Sequence, residues 1–110
     1  MTVVELTNAL SLKTYSAGDP SAEIHGGYTG DLLSWVMGRA KEGDAWVTIM
    51  TNINVIAVAH LTGVACVVIA EGAEPDAVAV QRAEQQGIAL LGSECASFEL
   101  SAEIARIFGK

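Results

Sequence analysis

Positive charge is scarce in this sequence. Six lysines and arginines stand against thirteen aspartates and glutamates, which gives a formal net charge of −7 over 110 residues. Because proteins bind nucleic acids through clustered Lys and Arg that neutralise phosphates, we expect no nucleic-acid partner. Charged residues of both signs amount to 17%, against about 25% in an average soluble domain. So little charge predicts a well-filled core and a surface partly covered by a partner.

Cysteine is also scarce, with only Cys66 and Cys95. Two cysteines are too few for a disulfide scaffold. No two of Cys66, Cys95, His25 and His60 stand at a spacing typical of zinc ligands, so we expect no metal and no cofactor. Cys66 lies in an apolar stretch, where a thiol behaves as a small buried hydrophobe. Nothing marks Cys95 as an activated nucleophile, and no carboxylate pair has acid–base spacing. We therefore expect no catalytic residues.

Targeting signals are missing from the first residues, which have neither a basic nor an apolar region. We therefore expect no signal peptide and a cytoplasmic location. Residues 45–70 contain no charged side chain, and that length could cross a bilayer. Polar residues interrupt the segment, however, and its flanks Asp44 and Glu71 are acidic rather than basic. Two buried strands around a buried helix explain it better, and we expect no membrane partner.

Hydrophobic residues make up 51% of the chain, which excludes disorder. The length fits one domain over residues 1–110. Strand patterns alternate with helix patterns: strands are predicted at residues 12–16, 45–49, 64–70 and 88–91, and helices near residues 2–10, 32–40, 53–62, 75–86 and 98–108. This alternation predicts an α/β fold, namely a three-layer α/β/α sandwich with a parallel or mixed sheet of about five strands.

The helix predicted at residues 53–62 is apolar on every side, although its β-branched residues favour a strand. We keep the helix because a strand there would leave its neighbours without a crossover. A helix that is apolar all round must be covered all round, and twofold self-association is the commonest way to cover an outward face. We therefore predict a homodimer with Val55, Val58, His60 and Leu61 at its interface.

Candidate ligand residues lie in loops that follow the predicted strands. The glycine-rich residues 26–31 fit neither a dinucleotide nor a Walker fingerprint, and they suit a tight turn with Thr29 or Asp31 capping the next helix. Helix N-termini at the strand ends favour an anion, whereas Glu71, Glu74 and Glu94 oppose one. The candidates for a small-molecule site are Gly27, Thr29, Asp31, Thr51, Asn52, Asn54, Gly72 and Ser93.

Four stretches together resemble a known family. They are Gly-Asp-Leu-Leu-Ser-Trp-Val-Met at residues 30–37, Thr-x-x-Thr-Asn-Ile-Asn-Val-Ile-Ala-Val-Ala at 48–59, Ala-Cys-Val-Val-Ile-Ala-Glu-Gly at 65–72 and Gly-Ile-Ala-Leu-Leu at 87–91. With this layout the chain resembles a short, stand-alone DRTGG domain over nearly its whole length. That family is related to the N-terminal domain of HPr kinase/phosphorylase and, more distantly, to the UDP-binding domain of the Mur ligases.

The resemblance implies a non-catalytic accessory or regulatory domain that acts through protein–protein interaction. DRTGG domains accompany regulatory modules such as CBS pairs, and short copies are encoded beside iron-only hydrogenase and related redox subunits, which implies a redox-enzyme partner. The name-giving residues differ here: Asn52-Ile53 stands for Asp-Arg, and Ala70-Glu71-Gly72 for Thr-Gly-Gly. The alternative function is a sensor that binds a nucleotide or another small molecule at the carboxyl ends of the strands.

Overall fold

The computed structural model describes all 110 residues as five helices and five strands. The helices are α1 (Val3–Ala9), α2 (Leu33–Arg39), α3 (Ile53–Thr62), α4 (Ala77–Gln86) and α5 (Ser97–Ile107). The strands are β1 (Lys13–Ser16), β2 (Gly26–Thr29), β3 (Asp44–Thr48), β4 (Cys66–Ile69) and β5 (Leu90–Gly92). None of the helices combines the length and the apolar character that a membrane span requires.

The five strands form one sheet in the order β1-β5-β4-β3-β2. The strands β2, β3, β4 and β5 run parallel, and β1 is antiparallel to β5 at one edge. The register places Val47 beside Val68, and Val68 beside Leu91. The prediction of a parallel or mixed sheet of about five strands is confirmed.

Helices cover both faces of this sheet. Successive side chains of a strand point to opposite faces, so Trp46 and Val67 pack under α2, α3 and α4, whereas Val47 and Val68 pack under α1 and α5. Every residue of β3, β4 and β5 is buried, which is why these strands are almost continuously apolar. The predicted three-layer α/β/α sandwich is confirmed.

The segment predicted as a helix against its β-branched composition is a helix. It begins where the Asn52 side chain accepts a hydrogen bond from the Asn54 N–H at 2.9 Å. It ends at Gly63, whose φ of 74° is the left-handed conformation that glycine adopts without strain. Val55 and Ile56 are buried completely or nearly so. Tertiary burial, rather than helix propensity, therefore stabilises α3.

The strand β2 is absent from the sequence prediction, which treated residues 26–30 as a turn. The segment instead pairs in parallel with β3, from Gly26 beside Asp44 to Thr29 beside Val47. Glycine is depleted in strands, so nothing local favours this conformation. The neighbouring strand β3 supplies the hydrogen-bond partners, and the turn into α2 lies after β2.

Candidate functional site

The carboxyl ends of β2, β3, β4 and β5 lie at one edge of the sheet because these strands are parallel. Six of the eight predicted ligand residues follow these ends, and the other two are in β2: Thr29 is its last residue and Gly27 lies inside it. The six are Asp31, Thr51, Asn52, Asn54, Gly72 and Ser93. Most of the candidates therefore lie at one edge of the sheet, although their side chains do not form one pocket, and their role in ligand binding stays a prediction.

Gly72 and Ser93 are brought together by backbone hydrogen bonds. The Gly72 N–H donates to the Ser93 carbonyl at 2.9 Å, and the Ser93 N–H donates to the Ile69 carbonyl at 2.8 Å. A small cleft of about 70 Å³ beside them is also lined by Lys13 and Tyr15. Small-molecule sites usually measure about 300–1,000 Å³, so this cleft is too small for a nucleotide.

The Glu71 side chain lies at the N-terminus of α5. Its carboxylate accepts a hydrogen bond from the Ser97 N–H at 2.8 Å, and its own N–H donates to the Cys95 carbonyl at 2.8 Å. These contacts hold Glu71 at a φ of 65°, a left-handed conformation that costs a non-glycine residue about 1–2 kcal/mol. A carboxylate of the chain itself thus lies where a helix N-terminus would receive an anionic ligand.

Asp31 and Thr29 do not cap α2, so that expectation is wrong. The Asp31 carboxylate accepts hydrogen bonds from the Thr48 hydroxyl at 2.8 Å and from the Ile49 N–H at 2.9 Å. The hydroxyl groups of Thr29 and Ser101 lie 2.7 Å apart and share a hydrogen bond. Because residue 29 still belongs to β2, these side chains reach β3 and α5 instead of the first turn of α2, which begins without a side-chain cap.

The polar residues after β3 support the neighbouring helices. Asn52 caps α3. The Thr51 carbonyl accepts a hydrogen bond from the Asp76 N–H at 2.9 Å, which joins the loop after β3 to the start of α4. Thr51, Asn52 and Asn54 line none of the clefts in the structure.

A larger cleft of about 230 Å³ lies between β2 and α5. Gly27 and Thr29 line it together with Ser101, Ile104 and Phe108. A Cβ atom added at Gly27 would lie 3.5 Å from Ile104 Cγ2, so a larger side chain there would enter the cleft. The α5 residues Ser101, Ile104 and Phe108 were not among the predicted ligand residues, because the pattern of residues 98–108 indicates only a helix. The adjacent glycines in β2 were the available signal.

The two thiols lie in different surroundings. Cys66 is completely buried in β4, and burial raises the pKa of its thiol to about 12, so it stays protonated at neutral pH. Cys95 is exposed in the loop before α5, and its backbone N–H donates to the Ser93 hydroxyl at 3.0 Å. No three side chains of His, Cys, Asp or Glu lie together as metal ligands would.

Two of the four predicted interface residues were wrongly chosen. Val55 and Val58 are only 1% and 5% exposed and belong to the core under the helices. The helix α3 packs against both α2 and α4, so its neighbours and the sheet cover most of its circumference. His60 and Leu61 are exposed on the remaining face, together with Ala57. The homodimer itself stays a prediction.

The fold places the chain among the three-layer α/β sandwich domains. No family model and no curated protein matches its sequence. Among solved structures it is similar to the CBS and DRTGG domains of the regulatory region of Clostridium perfringens pyrophosphatase, a structure complexed with the activator diadenosine tetraphosphate. The TM-score is 0.72 at 13% identity, and the match covers 94% of this chain and 45% of that chain. The resemblance to a DRTGG domain is therefore confirmed at the level of the fold.

Proposed function

We propose that the chain is a non-catalytic regulatory domain that acts through protein–protein contacts, first of all with a second copy of itself. The DRTGG-like fold supports a regulatory role, since the similar domains belong to the regulatory region of a pyrophosphatase. We also infer a cytoplasmic location and a redox-enzyme partner of the iron-only hydrogenase kind. The location rests on the sequence, and the partner rests on the family resemblance alone.

The observation that carries the proposal is the apolar outer surface of the layer formed by α2, α3 and α4. Five of the nine large hydrophobic side chains that are exposed lie on this layer or at its start: Leu32, Trp35, Met37, Leu61 and Val78. Leu61 is 69% exposed. Exposed apolar side chains concentrated on one layer of a domain favour an interaction site there, and a twofold axis near His60 would place the same face of α3 against itself.

Cysteine cross-linking tests this arrangement. The background variant is Cys95→Ser, which removes the exposed thiol and leaves the buried Cys66. Ala57→Cys, His60→Cys and Leu61→Cys are then oxidised one at a time, because residues beside a twofold axis approach their own copies to the Cα separation of about 4.4–6.8 Å that a disulfide needs.

We expect one or more of these three variants to give a disulfide-linked dimer. Asn8→Cys is the matched control, since residue 8 is exposed on α1 in the opposite layer, and it should give no disulfide-linked dimer. The proposed interface is wrong if none of the three cross-links, or if Asn8→Cys cross-links as readily.

A small-molecule sensor is the second candidate function, and the cleft between β2 and α5 favours it. This cleft contains two predicted ligand residues, Gly27 and Thr29, within apolar walls. Its volume of about 230 Å³ suits a ligand the size of a single nucleobase better than a whole dinucleotide. The activator in the similar pyrophosphatase structure is a dinucleotide, so nucleosides, nucleotides and diadenosine tetraphosphate are the probes to screen.

A thermal-shift screen tests the sensor. A ligand that binds only the folded state at 100 times its Kd stabilises that state by about 2.7 kcal/mol. Gly27→Leu should fill the cleft and abolish the shift. Gly38→Leu in α2, where an added Cβ meets nothing within 4 Å, should leave the shift intact. If no probe raises the melting temperature, the sensor is contradicted.

A further inference from the structure

The two edges of the sheet differ in how they are protected. β1 closes one edge and carries Lys13, a charge of the kind that discourages further strands from pairing. β2 closes the other edge with the uncharged sequence Gly-Gly-Tyr-Thr. One side of β2 pairs with β3, and its other side pairs with no strand. The backbone of β2 therefore offers a free hydrogen-bonding edge.

Positive charge gathers beside this free edge. A groove of about 250 Å³ along the start of β2 is lined by Arg39, Lys41 and Lys110, which are three of the six basic residues in the chain. None of the three forms an ion pair, since the only ion pairs are those of the N-terminal amine with Glu23 and of Arg106 with Glu103. The groove therefore gathers positive charge on a chain whose net charge is −7.

The acidic residues of the groove only partly offset these cations. Asp44 is buried, and its carboxylate accepts a hydrogen bond from the Lys41 backbone N–H at 2.8 Å. Glu42 is exposed and also lines a second cleft at Gly63. Arg39 lies over the Trp35 ring at 3.7 Å, and a cation on an aromatic face is held in place without losing its charge.

We propose that β2 is a docking edge for an acidic, extended segment of a partner protein, which adds to the sheet as a sixth strand. Strand addition obtains affinity from backbone hydrogen bonds and specificity from the flanking side chains. The three cations beside β2 complement the acidic residues of the incoming segment. The proposal rests on the proposed role in protein contacts and names the partner's chemistry.

A second copy of the chain fits this edge less well. The β2 strand of a second copy has the sequence Gly-Gly-Tyr-Thr and brings no acidic side chain to Arg39, Lys41 and Lys110. Pairing two β2 strands would therefore leave these charges without complementary partners on the added strand. The edge therefore favours a different chain with acidic character, and it is separate from the outer face of α3 on which we place self-association.

The test uses a fluorescent, end-blocked peptide of alternating glutamate and valine, titrated with the full-length protein and followed by anisotropy. We expect it to bind, and its lysine–valine counterpart not to bind. Lys41→Glu should weaken binding roughly tenfold, because it replaces an attractive charge beside the docked strand with a repulsive one. Arg82→Glu makes the same charge change on α4, away from the groove, and should leave the affinity nearly unchanged.

A second peptide separates strand addition from simple ionic attraction. N-methylation of every residue removes the backbone donors on both edges of the peptide and keeps every charge, so it should abolish binding. Backbone amide exchange of residues 26–29 should slow only with the unmethylated peptide. The proposal would be overturned if the methylated peptide bound as tightly as the unmethylated one, or if the glutamate–valine peptide did not bind at all. It would also be overturned if inorganic triphosphate displaced the fluorescent peptide as effectively as the unlabelled peptide does.

Self-association through β2, detected as slowed exchange of residues 26–29 in the free protein at high concentration, would also overturn it. The peptide titration measures binding at the β2 edge only. It can therefore succeed when the cross-linking test of α3 fails, and it can fail when cross-linking succeeds.

Discussion

The Glu71 carboxylate accepts a hydrogen bond from the backbone N–H of Ser97, 26 positions further along the chain, at 2.8 Å. This contact ties the loop after β4 to the first turn of α5. It also gives Glu71 a structural role, because its carboxylate is the negative partner of the α5 N-terminus. The polar loops at the carboxyl ends of the strands thus work mainly as supports for the fold.

Glu71→Ala should destabilise the protein by about 1 kcal/mol, because it removes the hydrogen bond to Ser97 and keeps a side chain at a positive φ. Glu71→Gly should cost less, since glycine adopts that conformation without strain. The measurement is the free energy of unfolding in urea. Glu74→Ala, an exposed acid nearby, is the control and should match the wild type. An unaltered stability of Glu71→Ala would show that the contact contributes nothing.

Asp31→Ala should destabilise the protein by about 1–3 kcal/mol, because it leaves the buried Thr48 hydroxyl without its acceptor. Asp31→Asn keeps an acceptor oxygen in the same place, so its free energy of unfolding should fall less than that of Asp31→Ala. Glu84→Ala, on the exposed surface of α4, controls for the loss of one negative charge. If the Ala and Asn variants lose equal stability, the hydrogen bond is not the cause.

The buried thiol of Cys66 should make the protein less stable at high pH. Burial raises its pKa from 9.0 to about 12, so between these values the unfolded chain loses this proton more readily than the folded chain does. Stability therefore falls as the pH rises through that window. Urea titrations across it should show a steeper decline for the wild type than for Cys66→Ala. Parallel curves for the two proteins would contradict the burial effect.

Local signals in the sequence predicted much of the fold. Thr2 and Glu5 form the reciprocal capping box at the start of α1 that their spacing indicates. Gly63 and Gly87 end α3 and α4 in the left-handed conformation, which glycine is the residue best suited to adopt. The buried parallel strands were recognisable because both of their faces are covered, which makes them continuously apolar.

The parts that could not be predicted depend on contacts between distant residues. β2 contains two glycines in four residues, and only its pairing with β3 makes it a strand. Glu71 gave no sign of its positive φ, since the partners that hold it there are Cys95 and Ser97. The burial of Val55 and Val58 depends on α2 and α4 lying on both sides of α3, an arrangement that the strand order determines.

Sedimentation at micromolar concentration, on the wild type and on Leu61→Glu and Val58→Glu, tests the central claim most directly. We predict a wild-type particle of twice the 11.4 kDa mass of one chain. Leu61→Glu should give a folded monomer, since this side chain is exposed, whereas Val58→Glu should unfold the protein, because it buries a charge in the core. A wild-type particle near 11.4 kDa, or a Leu61→Glu variant that remains a dimer, would contradict self-association through the outer face of α3.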